Sequence, residues 1–350
     1  MKPLALHGRS MDEKERLLSV LAREPVDRVP VVSPTQTGTV DLMKASGAFW
    51  PQAHADPRLM FALSLAAHTI AGLEGCRVPF DAAVDASAFG AVTSFESERR
   101  QPAITGRPVT SRELADIVPI PDPRRDGRAP AVLEAVSLLR ERLGNASPVL
   151  CGVISSFTLG CQLRGEASAM MDLMLDPSYL SVVLDKAFRW NVEYIKEAVS
   201  AGADVIVLID ATASGDILGP DQYEEFAQPY EERLVQVVHD AGARSILHIC
   251  GNTTLNLAQM RATMADGISV DQSMDMRWVK RTLGRRTAAV GNVSPTNTLL
   301  FRSPEYVIEE CKECIEAGTD ILAPGCGFAP ETPLANMKAM ASVRMAHHQV

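Results

Sequence analysis

Short apolar runs alternate with longer amphipathic stretches along most of this chain, and the alternation predicts repeated strand–helix units. The clearest run is Ala203 to Asp210 (ADVIVLID), nearly continuous and rich in β-branched residues. A strand buried on both faces reads this way. Similar runs predict strands at Val29–Ser33, Pro148–Ile154, Ser245–Cys250, Ile268–Val270, Ala288–Val290 and Asp320–Ala323. Between them, apolar residues at helical spacing predict helices over Leu180–Ala201 and Asp221–Ala241, stopped by Gly202 and Gly242. A third begins at Ser303-Pro304, with Ser as N-cap and Pro in the first turn, and ends at Gly318.

The phrase Ala-Gly-Ala-Asp at 201–204 is echoed at 241–244 and 317–320, each time as helix, glycine turn and buried strand. Such units build parallel α/β folds, as a (β/α)8 barrel or an open doubly wound sheet. No Gly-x-Gly-x-x-Gly follows a first strand and no phosphate-loop motif is present, which counts against the nucleotide-binding open sheet. The expected fold is therefore α/β: a (β/α)8 TIM barrel in one domain over residues 1–350. Its N-terminal helical extension covers residues 1–28, with a helix near Met11–Ala22.

Charge narrows the functional classes. Lys and Arg number 34 against 43 Asp and Glu, a formal net charge of −9. That argues against a nucleic-acid partner, whose phosphates must be met by Lys and Arg. No run approaches 18 uninterrupted apolar residues, so no membrane span is expected, and the first ten residues carry no secretory pattern. Seven cysteines, an odd number, suggest free thiols or metal ligands rather than a disulfide scaffold, and with them a cytoplasmic location.

Candidate chemistry gathers at strand ends. In an extended strand Ile246, His248 and Cys250 share one face, and Leu247 and Ile249 the other. The purely apolar face suits the outer helices, so the His/Cys face is expected to point into the barrel. Cys326 follows a later strand, between Gly325 and Gly327. Barrel sites are assembled from the C-terminal ends of several strands, so these three can converge. One His and two Cys with an open fourth position match a catalytic zinc site. A core histidine with two small buried cysteines fits the same spacing about as well.

Cys311 and Cys314 look like a metal pair, but they lie mid-helix and continue the apolar stripe of Val307, Ile308 and Ile315, as core residues would. Asp210, at the end of the strongest strand, is a candidate catalytic carboxylate. Gln36 and Thr37, in the polar loop after the first strand, are candidates to contact cofactor or substrate, as is the strand-end Asp271. Asp216 reads equally well as a turn residue. Cys161 is a weaker cleft candidate, and His7, His347 and His348 are expected in solvent.

These residues resemble the uroporphyrinogen decarboxylase superfamily, and within it the methylcobalamin:coenzyme M methyltransferases. Glu24-Pro-Val-Asp-Arg-Val-Pro30 is similar to the superfamily's N-terminal signature. The methyltransferase branch is resembled by Thr35–Thr39, Leu42–Pro51, Asp210–Ser214, Leu247–Asn252 and Pro324–Gly327. The resemblance runs from about Glu15 to Ala341. It implies a (β/α)8 barrel in which His248, Cys250 and Cys326 bind zinc. It implies a step of methanogenesis, in which a methyl group passes from a methylated corrinoid (methylcobalamin) to the thiol of coenzyme M. The corrinoid rides on a separate small protein docked over the barrel mouth.

The decarboxylase branch carries an Arg-Gln-Ala-Gly-Arg loop after strand one, which contacts substrate carboxylates. This chain has Pro34-Thr-Gln-Thr-Gly38 there, with neither arginine. Three alternatives stay open: another acceptor, such as a different thiol or tetrahydrofolate; uroporphyrinogen decarboxylation; and a non-enzymatic scaffold for a corrinoid partner. Arginines near strand ends, Arg164 among them, are candidates to hold the acceptor's acidic end.

Overall fold

The computed structural model describes residues 10–95 and 97–346; the histidines at 7, 347 and 348 lie outside them. Its strands are β1 (Cys76–Val78), β2 (Val92–Ser94), β3 (Ala103–Gly106), β4 (Val149–Ile154), β5 (Val205–Ile209), β6 (Arg244–Ile249), β7 (Gly267–Val270), β8 (Ala288–Val293) and β9 (Ile321–Pro324). Seven of them form one parallel sheet in the order β1-β4-β5-β6-β7-β8-β9, with helices between successive strands. β2 and β3 pair as a separate antiparallel hairpin.

The sheet curls shut through Pro30–Val32. Val31 bridges Leu322 in parallel. Val32 N donates to Leu322 O at 3.1 Å, Leu322 N to Pro30 O at 3.0 Å, and Glu74 N to Val31 O at 2.8 Å. This segment thus fills the gap between β9 and the approach to β1, and the architecture is an α/β barrel. The expected strand at Val29–Ser33 shrinks to one bridge. Pro30 has no N–H to donate, and Pro34 follows at once.

The alternation within each strand sorts side chains to the two faces. Leu150, Val205, Val207, Ile246, Val290 and Ala323 form an inner apolar cluster, while Leu247 and Ile249 join the larger cluster under the outer helices. The helix Glu13–Leu21, capped by Asp12 accepting from Glu15 N at 2.7 Å, sends Leu17, Val20 and Leu21 into the inner cluster. It therefore closes the barrel floor, which leaves the opposite end, at the strand C-termini, as the open mouth.

Helices fall near their expected places, at Pro177–Ser200 and Pro304–Glu316. The stretch Asp221–Ala241 differs: it is two helices, Pro220–Phe226 and Gln228–Asp240, broken at Ala227. Pro229 supplies the reason, since a proline ring inside a continuous helix collides with the carbonyl four residues back. No helix among the described residues is long and apolar enough to cross a membrane.

Candidate metal centre

β6 delivers His248 and Cys250 to the mouth. The His248 ring lies 1 % exposed, with Nε2 3.0 Å from Cys250 Sγ. Cys326 arrives from the loop after β9, and its Sγ is 3.4 Å from Cys250 Sγ. That loop has to fold across the barrel, and glycine makes the crossing fit. A Cβ on Gly325 would meet Gln272 N at 2.5 Å, and one on Gly327 would meet Gln36 Cγ at 2.7 Å.

His248 Nε2 and the two sulfurs lie within 4.8 Å of one another, and among the described residues they are the one His/Cys/Asp/Glu trio gathered in this way. Zinc–sulfur bonds of about 2.3 Å at tetrahedral angles set two sulfurs about 3.8 Å apart. The donors therefore fit a tetrahedral ion with a small outward shift. The hydrogen bond shared by Cys250 and Cys326, with His248 alongside, holds the Cys326 thiol below the ordinary thiol range. That same sharing, together with burial, pushes Cys250 up.

Behind the ligands, His248 Nδ1 lies 2.9 Å from Ser269 Oγ. Ser269 is fully buried and directly in register with His248 on β7. When Nε2 serves as a metal ligand, Nδ1–H donates to the serine, which fixes the ring's orientation.

Gln36 is buried at the mouth and its side chain is already engaged. Its Nε2 donates to Phe328 O, its Oε1 accepts from Gly38 N at 2.8 Å, and Phe328 N donates to Gln36 O at 3.1 Å. It thus pins the Cys326 loop to the loop after the first segment, and it lines the cavity. Thr37 is buried beside it, off the cavity wall, with a hydroxyl that has no partner. Asp271 sits at the inner edge of β7, where its carboxylate accepts from Ser273 N at 2.9 Å.

Asp210 is not brought to the metal donors. It is fully buried and turned toward the outer helices, where Oδ1 accepts from Thr158 N at 2.8 Å and Thr158 Oγ1 at 2.6 Å. Strand alternation gives the reason. Val205 and Val207 face inward and Ile209 continues their face onto the cavity, so position 210 faces out. Its other neighbour is the buried Glu231, whose remaining carboxylate oxygen accepts from Tyr223 OH. Burial pushes both carboxyls up, Glu231 the further because Asp210 lies beside it.

Asp216 accepts from Asn252 N at 2.8 Å and so ties the loops after β5 and β6 together. Cys161 is buried in a helix, Cys311 and Cys314 pack in the core, and Arg164 pairs with Asp172 at 2.6 Å.

The donors open onto a cavity of about 160 Å³ at the barrel mouth, lined also by Gln36, Arg77, Phe80, Asp81, Gln101 and Ile209. Arg77 was not legible in the sequence. It lies in a strand of three residues, too short to display an alternation. Asp81, on the same wall, is held by Arg128 through two contacts of 2.7 Å and by His54 Nδ1 at 2.8 Å.

A barrel with such a mouth belongs to a wide class of enzymes, and comparison with known proteins narrows it. Residues 12–347 match the uroporphyrinogen decarboxylase (URO-D) family, and the chain belongs to that family. Among its relatives is the methylcobamide:CoM methyltransferase MtbA of Methanosarcina mazei, 39% identical over 328 residues, spanning 93% of this chain and 96% of the relative. The methylcobamide:CoM methyltransferase MtaA of Methanosarcina barkeri is 37% identical over 332 residues, spanning 95% and 97%. A solved methyltransferase from Methanosarcina mazei superposes with a TM-score of 0.91 at 38% identity, covering 95% of this chain and 98% of that one.

Proposed function

We propose that this protein transfers a methyl group from a methylated corrinoid, carried by a partner protein at the barrel mouth, to the thiol of coenzyme M. His248, Cys250 and Cys326 hold a zinc ion. The observation that carries the reading is the convergence of these three donors on one cavity wall, in a chain closely related to methylcobamide:CoM methyltransferases.

Bound zinc supplies what a thiol lacks at neutral pH, since a free thiol with a pKa near ~8.5 is mostly protonated and zinc favours the thiolate. One neutral imidazole and two thiolates cancel the charge of Zn²⁺, so the donor set leaves an incoming thiolate nucleophilic. Ser269 holds the imidazole in position and Gln36 holds the Cys326 loop, so both donors are set before substrate arrives. The thiol proton leaves to solvent. The sulfur attacks the methyl carbon, the S–C bond forms as the C–Co bond breaks, and the bonding pair stays on cobalt, which passes from Co(III) to Co(I). Tetrahydrofolate as acceptor would leave the thiol-activating donors without a task.

The test is thiol-dependent demethylation of free methylcobalamin by the purified, metal-loaded protein, followed by absorbance and by detection of the methyl thioether. Methyl thioether formed with coenzyme M supports the reading. A metal-loaded protein that demethylates with no thiol tested contradicts it.

A further inference from the structure

The cavity carries a buried positive charge, Arg77, that forms no ion pair among the described residues. β1 pairs with β4 so that Arg77 stands opposite Leu150, an inward-facing residue, and Arg77 therefore points into the barrel above the apolar floor. It is 4 % exposed and lines the same cavity as His248, Cys250 and Cys326. Its Nε donates to Pro34 O at 3.2 Å and its Nη1 to Pro79 O. Both acceptors are neutral carbonyls. Among the described residues it forms no ion pair. The one carboxylate on the cavity wall, Asp81, already has Arg128 and His54 as partners.

Space has been left for this guanidinium. Gly152 of β4 lies directly against it, and a Cβ there would collide with Nη2 and come within 2.9 Å of Cζ. Burying a guanidinium without a counter-charge is costly, and burial lowers its pKa to about 10, which still leaves it charged at neutral pH. Such a group gains from an anion delivered by a ligand. The planar fork suits oxyanions that accept two parallel hydrogen bonds, such as sulfonate, carboxylate or phosphonate. At about 160 Å³ the cavity is well below the roughly 300 Å³ of a drug-sized ligand site. A small ligand there can meet both the sulfur donors and Arg77.

We propose that Arg77, seated against Gly152, is the residue that anchors the acidic head of the acceptor and so sets which thiols are accepted. This rests on the thiol-methylation reading above. The residue positions the thiol by its far end: the head is fixed at Arg77 while the sulfur reaches the donors that line the same cavity. Distance and charge together then select against neutral thiols of the same length and against long anionic ones.

The test compares 2-mercaptoethanesulfonate with 2-mercaptoethanol as acceptors in wild type, Arg77→Met and Arg77→Lys, with free methylcobalamin as donor. In wild type the sulfonate is the better acceptor. Arg77→Met should raise KM for the sulfonate by about 30- to 100-fold, the loss expected when a charge-assisted pair is removed. The neutral thiol should change by less than about threefold, and Arg77→Lys should recover part of the loss. Equal losses for both thiols, or a sulfonate preference kept in Arg77→Met, would overturn the proposal.

A second measurement needs no turnover and is made on wild type and Arg77→Met. Ethanesulfonate, which has no thiol, should bind wild-type protein at least tenfold more tightly than the neutral ethyl methyl sulfone, in calorimetry on the metal-loaded protein. Equal binding of the two overturns the proposal. Ethanesulfonate binding that requires Arg77, without methyl transfer to any thiol, would keep the anchor and remove the thiol-methylation reading. Methyl transfer to both thiols with no dependence on Arg77 would do the reverse.

Discussion

His248 and Ser269 stand in register on adjacent strands of the barrel, with His248 Nδ1 2.9 Å from Ser269 Oγ and both side chains buried. The serine is not a metal donor, yet its contact with Nδ1 leaves Nε2 facing the sulfur of Cys250. Ser269→Ala should therefore keep the fold and weaken zinc binding by about 10- to 100-fold, the usual effect of removing a ligand's outer hydrogen bond. Competition with a chromophoric chelator measures this. Zinc affinity unchanged within twofold would show that packing alone orients the ring.

The three donors and the helix cysteines should separate cleanly. His248→Ala, Cys250→Ser and Cys326→Ser should each lower zinc content from about one ion per chain toward zero. Cys311→Ser and Cys314→Ser should retain it, and Cys311→Ser should lose about 1–3 kcal/mol of stability, because it buries a hydroxyl among apolar neighbours. Elemental analysis and denaturant unfolding give both numbers. Zinc lost from the helix variants and kept in the first three would move the site to the helix.

Asp210 and Glu231 form a buried carboxyl pair that burial keeps protonated above the ordinary carboxylate range. Two oxygens of the pair, Asp210 Oδ2 and Glu231 Oε1, have no donor unless one carboxyl holds a proton. The sign follows from linkage. With native pKa values raised, the native state binds more protons than the unfolded one above about pH 4. The pair's contribution is full below that and is lost as pH rises through the native values. Glu231→Gln removes one titration, so its unfolding free energy should fall less steeply with pH between 5 and 9 than that of wild type. Parallel slopes for the two proteins would show that the pair does not titrate with folding.

Much of this architecture could be read from period and punctuation. The alternation Ile246, His248, Cys250 against Leu247, Ile249 places the two donors inside, because a strand of six residues displays its period clearly. Cys326 between glycines marks a loop that must pass close to other backbone. Other features depended on contacts between distant segments. The Pro30–Val32 segment closes the barrel with few hydrogen bonds, and only its partners Leu322 and Glu74 reveal its role. Arg77 sits in a three-residue strand, so neither its direction nor its lack of a counter-ion is visible before β1 is set against β4. For Asp210 the signal was present: the alternation that sends Ile209 inward sends its neighbour out toward Thr158 and Glu231.

X-ray absorption at the zinc edge, before and after adding coenzyme M, tests the central claim most directly. Three protein donors leave one position for the acceptor, and only a deprotonated thiol is a good ligand there. The account predicts that sulfur neighbours of zinc rise from two to three, with close to one proton released per chain at neutral pH. A sulfur count that stays at two while methyl transfer proceeds would contradict it, and would assign thiol activation to a group other than the metal held by His248, Cys250 and Cys326.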